Sequence, residues 1–236
     1  MTQSQILFDA AEKNLPRPGL KPKDAATLII IRRDRDALRV LMGQRHAKMA
    51  FQPNRFVFPG GSIDPCDQRI TVGGALRPDV ALKVQVGITP ARARGLALAA
   101  VRETFEETGI IVGEKCTHIP HTRARAWQRY FAHGIVPKLD RFTLVARAIT
   151  PPGRTRRFDA RFFMVDGSAI AHEVDATHQE ELLRPAWLTL AEARALDLMS
   201  ITRRALDEAE AWTVEGGARP IPFFRVLNGK ATMSYL

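Results

Sequence analysis

Hydrophobic positions follow two rhythms along this chain: short β-branched runs and longer stretches with helical spacing. ATLIIIRRD (26–34) is a β-branched run ending in charge, and after a turn comes LRVLMGQR (38–45), the pattern of a hairpin. FVFPGG (56–61) predicts a short apolar strand stopped by a Pro-Gly-Gly break. Residues 62–87 carry turn signals and mixed polarity without a period. At Thr89-Pro90 the rhythm changes, because Thr caps helices and Pro suits the first helical position. Ala-, Arg- and Leu-rich sequence then runs to Thr108, and Gly109 stands where helices stop, so a helix is predicted over 90–108.

Downstream, RARAWQRYFAHG (123–134) reads as helical, and RFTLVARAIT (141–150) and ARFFMV (160–165) read as strands around the basic turn PPGRTRR. Thr189 and Glu192 stand at capping-box spacing, and SITRRALDEAEAW (200–212) predicts a further helix. Strands and helices intermixed with hairpins indicate a mixed α/β (α+β) layer fold. Residues 1–24, with LPRPGLKPKD, read as an N-terminal arm. Residues 25–236 are expected to form a single domain, with an insertion at about 68–88 and a C-terminal helical extension.

Composition narrows the function classes. An apolar share of 45% supports a sizeable core, and no run reaches the ~20 apolar residues that span a bilayer, so no membrane association is expected. MTQSQILFDAAEK has an early acid and no basic flank before a long apolar block, so no signal peptide is expected. Cys66 and Cys116 stand apart and outside any paired motif, reading as free thiols of a reducing compartment, so the cytoplasm is expected. The net charge is +10, with 27 arginines and eight lysines among the 35 basic residues. Arginine's planar fork suits phosphate oxygens. The arginines are scattered and not massed, so they read as solvated charge before nucleic-acid binding.

One short stretch stands out chemically. VRETFEETGI (101–110) places Glu103, Glu106 and Glu107 within five residues, although like charges three and four apart on a helix repel by roughly 0.2–0.5 kcal/mol per pair. With ~100° per residue, Glu107 falls about 40° and Glu106 about 300° from Glu103, so the three share one stripe. Leu98, Val101 and Phe105 fall on the opposite side, which predicts a helix burying one face and presenting an acidic patch on the other. A solvated acidic face is one reading. A divalent cation is the other, since hard Mg²⁺ takes carboxylate oxygens together with substrate phosphates.

FPGG followed by RETFEETGI resembles the Nudix hydrolase box: Gly, five residues, Glu, seven residues, then Arg-Glu-apolar-x-Glu-Glu-x-Gly-apolar. Arg102, Glu103, Glu106, Glu107 and Gly109 match every charged and glycine position of the second half. Thr104 stands in the aliphatic slot, while Phe105 supplies bulk beside it. Counting from Gly61 puts Asp67 in the first acidic slot, 35 positions before Arg102 instead of 8; counting back from Arg102 puts Arg94 there. The first acid is therefore Asp67 or absent. The interrupted box, RRFDARFFMV and the trailing AWLTLAEA resemble the branch related to peroxisomal coenzyme A diphosphatases, over residues 25–196.

The resemblance implies a Nudix-like α/β/α sandwich with a mixed sheet, and Mg²⁺-dependent (alternatively Mn²⁺-dependent) hydrolysis of a nucleoside diphosphate linked to another moiety. It implies metal ligation by Glu103, Glu106 and Glu107, with Glu103 and Glu107 the most direct. Arg102 would orient them, and Gly60 and Gly61 would allow close backbone approach. An assisting acid is expected at Glu181, with Glu180 next. Arg45, Lys48 and Arg55 lead into FPGG, where Arg45 and Arg55 are the candidates for substrate phosphates; Arg154, Arg156 and Arg157 form a second basic group. Trp127, Tyr130 and Phe131 read as core before base-stacking platform. The six histidines show no ligand spacing.

Coenzyme A, ADP-ribose, a dinucleotide or another nucleotide sugar all remain open as the small nucleotide-derived substrate, because Asn54 occupies a glycine slot of the coenzyme A signature. A homodimer is expected by analogy alone. Two readings of other classes compete: a catalytically silent Nudix-like ligand sensor, and arginine-mediated nucleic-acid binding.

Overall fold

The computed structural model describes residues 20–49, 53–71, 74–176, 181–216 and 219–236. Most of the expected N-terminal arm, and Glu180, lie outside these residues. In chain order the elements are β1 (Lys23–Asp34), β2 (Ala37–Arg45), β3 (Phe56–Val57), β4 (Gly60–Ser62), a 3₁₀ turn (Asp67–Arg69), α1 (Pro78–Val84), α2 (Pro90–Thr108), β5 (Ile110–Val112) and β6 (Glu114–Lys115). There follow α3 (Arg125–Phe131), β7 (Ile135–Val136), β8 (Thr143–Ile149), β9 (Phe158–Asp166), β10 (Ile170–Glu173), β11 (Leu182–Thr189), α4 (Leu190–Ala195), α5 (Ser200–Glu215), β12 (Pro222–Leu227) and β13 (Lys230–Tyr235).

The main sheet is mixed, in the order β11-β2-β1-β9-β8-β12-β13. β1 runs parallel to β9, and β12 runs parallel to β8. Along one edge β1 changes partner: its first residues pair with β4 (Ala25 opposite Ser62) and its last with β2 (Asp34 opposite Ala37). β1 alternates its burial accordingly. Leu28 and Ile30 pack beneath α2 with Phe105, Trp127 and Phe163, whereas Ile29 and Ile31 join Val145, Leu206 and Phe224 beneath α4 and α5. Helices thus cover both faces of the sheet, an α/β/α sandwich. Apolar residues on both faces explain why β1 reads as an unbroken LIII run (28–31) and not as an alternating one.

Helix α2 has the predicted limits. Thr89 Oγ1 accepts from the Arg92 amide at 3.3 Å, Pro90 opens the first turn, and Gly109 ends the helix with φ 74°. The capping box at Thr189 and Glu192 is present at the start of α4. Three expectations are corrected. FVFPGG is two short strands, because Phe58-Pro59 interrupts the pairing between β3 on β2 and β4 on β1. The segment without period holds the 3₁₀ turn and α1. Beyond α5, residues expected to be a helical extension also form the β12–β13 hairpin, which widens the main sheet. Its turn is Asn228-Gly229, both at positive φ (49° and 73°), a two-residue hairpin signal that was legible.

No described helix is long and apolar enough to cross a membrane.

Candidate active site

α2 carries the acidic stretch across the sheet, and its surroundings overturn the expected amphipathic division. Glu106 and Glu107 are each 5% exposed, and Arg102 and Thr104 are buried as well. Thr104, the polar residue in an aliphatic slot, satisfies its hydroxyl by donating to Ala100 O at 2.7 Å. The acids therefore lie inside the molecule, where like-charge repulsion is stronger than on a solvated face.

Arg102 accounts for much of the compensation. Its Nε donates to Asp67 Oδ1 at 2.9 Å, and its Nη2 to Asp67 Oδ2 at 3.0 Å and Ser62 O at 3.1 Å. Its Nη1 donates to Glu103 Oε1 at 2.8 Å and Glu106 Oε2 at 2.9 Å. A guanidinium has five N–H donors, and here each one has an acceptor. Asp67, fully buried and the acid that the count from Gly61 reaches, is thus the bidentate partner of Arg102. Its oxygens also accept from Trp127 Nε1 at 2.8 Å and from the Asp64 amide at 2.8 Å. Glu106 is held twice, since Arg129 Nη2 donates to its Oε1 at 2.9 Å.

Glu103 and Glu107, one helical turn apart, share the least compensated charge. Glu107 Oε2 accepts the Gly60 amide at 2.9 Å. Burial, and then the Glu103 charge, push the Glu107 carboxyl up to about 8, against the opposing pull of that amide. Burial pushes Glu103 up to about 7, with Arg102 opposing. The glycines fit as expected. A Cβ on Gly61 would stand 2.5 Å from Glu103 Cδ, and one on Gly60 would stand 2.5 Å from Ala26 O.

These two carboxylates face a cavity of about 310 Å³, lined also by Gly60, Gly61, Arg45 and Glu181. Glu181 stands beside Arg45 because β11 pairs with the end of β2, where Leu182 lies opposite Arg45. Burial draws the Arg45 pKa down, Glu107 and Glu181 hold it up, and Arg156 draws it down further. Arg154 and Arg156, on the turn between β8 and β9, line the same cavity. Phe58, Phe158, Phe162 and Ile201 form its apolar part, and α5 contributes its first residues, through Thr202.

Several sequence-predicted residues stand elsewhere. Glu106 does not line the cavity; both its oxygens are taken by arginines. Arg55, expected at the substrate, donates instead to Asp197 Oδ1 at 2.6 Å and Leu198 O at 3.3 Å, tying its loop to the start of α5. Arg157 donates to Thr150 O and Leu20 O, holding its own turn. Lys48 is exposed and outside the cavity lining. Trp127, Tyr130 and Phe131 are core, Tyr130 donating its hydroxyl to Val112 O at 2.6 Å. Asn54 adopts φ 62°, the left-handed conformation that Asn tolerates and that suits the glycine slot it fills. Burial and the neighbouring acids push the Cys66 thiol up to about 12, so it is no nucleophile.

Sequence reasoning missed the apolar wall, Trp127 as a donor and Arg129. The alternation of Phe158, Ala160 and Phe162 signalled one face of β9, but nothing in it signalled a cavity.

A divalent cation fits this donor set. Among the described residues no three Cys, His, Asp or Glu side chains form a ready-made cage. Magnesium, however, is usually held by one or two carboxylates plus substrate phosphates and water. Glu103 and Glu107 supply such a pair of hard oxygen donors, and burial first, then their neighbouring carboxylates, raise the proton affinity of both against the pull of Arg102 and Arg45.

The sequence matches the NUDIX domain over residues 21–209. No curated relative matches it. Among solved structures it is similar to a NUDIX hydrolase from Alicyclobacillus acidocaldarius, at 26% identity and a TM-score of 0.61, covering 80% of this chain and 91% of that one. It is also similar to a MutT NUDIX hydrolase from Burkholderia pseudomallei (18% identity, TM-score 0.46, covering 80% and 98%). A third is an Ap4A hydrolase from C. elegans (15%, 0.42, covering 81% and 99%).

Proposed function

The chain belongs to the NUDIX family of hydrolases, and we propose that it hydrolyses a diphosphate bond in a nucleoside diphosphate derivative with the help of Mg²⁺ or Mn²⁺ held by Glu103 and Glu107. The observation that supports this most is the pair of buried Glu107 and half-buried Glu103 opening onto a cavity whose lining also carries Arg45, Arg156 and Glu181. A cation and a polyanion together would neutralise these charges.

When bound, the ion supplies positive charge for the diphosphate oxygens and makes water a better nucleophile. Arg102 holds the Glu103 carboxylate towards the cavity. Gly60 presents its amide to Glu107 and, lacking a Cβ, lets the β4 backbone come close to the substrate. Arg45 and Arg156 receive the phosphate oxygens that point away from α2. Glu181, at the mouth, accepts the proton of the attacking water as its oxygen bonds to phosphorus. The bridging P–O bond breaks and the second phosphate departs. The apolar wall of Phe58, Phe158, Phe162 and Ile201 packs against one arm of the substrate.

Within the family, the interrupted box favours the branch related to coenzyme A diphosphatases. Coenzyme A, ADP-ribose, a dinucleoside polyphosphate and nucleotide sugars therefore make up the test panel. The expected result is a phosphomonoester product from at least one of them, formed with Mg²⁺ and lost with EDTA. Failure of every diphosphate with both metals would overturn the assignment, and turnover in EDTA would overturn the metal dependence.

A further inference from the structure

The network around Arg102 extends beyond the box to α3. Trp127 is fully buried, and its indole N–H, which has donor capacity only, meets Asp67 Oδ1 at 2.8 Å. Two residues on, Arg129 crosses to Glu106 Oε1 at 2.9 Å. α3 is thus joined to both halves of the interrupted box, to Asp67 before the insertion and to Glu106 after it.

Asp67 explains the need for the first contact. It is one methylene shorter than glutamate, and it is reached through a 35-position excursion instead of a continuous loop and helix. Its oxygens accept hydrogen bonds from nitrogen at 3.0 Å or less from Arg102 (twice), the Asp64 amide and Trp127. Without the indole N–H, Oδ1 keeps only Arg102 and the distant Cys66 thiol, at 3.8 Å. Glu106 explains the second contact: with one guanidinium on each oxygen it faces arginine and not the cavity.

We propose that α3 is a positioning element for the ion site: Trp127 and Arg129 clamp Asp67 and Glu106 so that Arg102 keeps Glu103 directed at the cavity, and Glu106 serves as a strut and not as an ion ligand. Trp127 and Arg129 act through Arg102 and touch neither ion nor substrate. The proposal rests on the ion site assigned above. Its primary readout is therefore Mn²⁺ affinity of the full-length protein, measured by water-proton relaxation without substrate, with turnover second.

Glu106→Gln, which gives up one of its two arginine contacts, is expected to weaken Mn²⁺ about tenfold, as the loss of the Arg129 contact does, whereas Glu107→Gln, losing an ion ligand, weakens it by about 100-fold or more. Trp127→Phe removes the N–H while keeping the ring's bulk. Arg129→Ala removes the strut from a side chain that is nearly half exposed. Each is expected to weaken Mn²⁺ about tenfold and lower kcat about tenfold, with KM for the diphosphate substrate unchanged, and Arg129→Lys to recover part of the loss. If Trp127→Phe does not fold, Arg129→Ala decides. Wild-type Mn²⁺ affinity in Arg129→Ala, or a Glu106→Gln loss as large as that of Glu107→Gln, overturns the inference and leaves the ion site standing. A wild-type protein that binds no Mn²⁺ removes both.

Discussion

Asp67 and Arg102 stand 35 positions apart in the chain, yet form a bidentate ion pair with N···O distances of 2.9 and 3.0 Å, buried from solvent. The pair closes the box across its insertion. Removing one partner of a buried pair strands the other, here together with the Trp127 N–H, and typically costs about 3–5 kcal/mol. Asp67→Ala is therefore expected to lower unfolding stability by an amount of that order in urea titrations, and a loss below about 1 kcal/mol would show that the pair is not what joins the halves.

Glu107→Gln keeps the side-chain carbonyl that accepts the Gly60 amide but loses the charge. Diphosphatase turnover is expected to fall by at least ~100-fold if a core ion ligand is lost. The same variant, freed of the repulsion with Glu103, is expected to melt higher than wild type at pH 8 in the absence of metal. Thermal scans in EDTA check this.

Both site carboxyls have folded-state pKa values above the ordinary 4.5 of glutamate, about 7 for Glu103 and about 8 for Glu107. Unfolding therefore releases protons wherever the unfolded glutamates are ionised and the folded ones are not. Their contribution to stability is fully present below pH 4.5 and declines as pH rises through 7 to 8. In EDTA the melting temperature is expected to fall across that window. Added Mg²⁺ is expected to offset the fall most at the alkaline end, where the carboxylates are free to bind it. A metal-free profile rising from pH 5 to 8 would contradict the assignment.

The two glycines predict different phenotypes. At Gly61 an added methyl meets the flexible end of Glu103, 2.5 Å from Cδ, so Gly61→Ala is expected to fold normally while losing Mn²⁺ affinity and turnover. At Gly60 it meets backbone, 2.7 Å from Thr27 Cα, so Gly60→Ala is expected to destabilise the β1–β4 pairing itself. Melting temperature and Mn²⁺ titration, measured on both variants, separate the two effects.

Arg45 lines the cavity wall with Glu107 and Glu181 close by. As a phosphate donor it contributes a charge-assisted contact, so Arg45→Ala is expected to raise KM by roughly tenfold or more. Arg55→Ala, whose guanidinium is committed to Asp197, is expected to leave KM unchanged. Steady-state kinetics on the two variants distinguish a substrate arginine from a structural one.

Local chemistry written along the chain was enough for α2 and its ends, for the β1–β2 hairpin and for the acidic second half of the box. Capping, turn and period signals act over a few neighbouring residues and are readable there. The β12–β13 hairpin, too, carries a local signal in Asn228-Gly229. The division of labour among the glutamates was not readable, because it depends on burial and on partners distant in sequence. The helical wheel put Glu106 on the same stripe as Glu103 and Glu107, but Arg129, 23 positions later, draws it into a separate pair. Arg45 and Arg55 look alike in sequence, and only the folded chain sends one to the cavity and the other to Asp197. The first box acid was ambiguous for the same reason: spacing allowed Asp67 or none, and packing of the 3₁₀ turn against α2 and α3 brought Asp67 within reach of Arg102 and Trp127. Short-range propensity sets the elements; long-range burial of charge decides which of their side chains become the site.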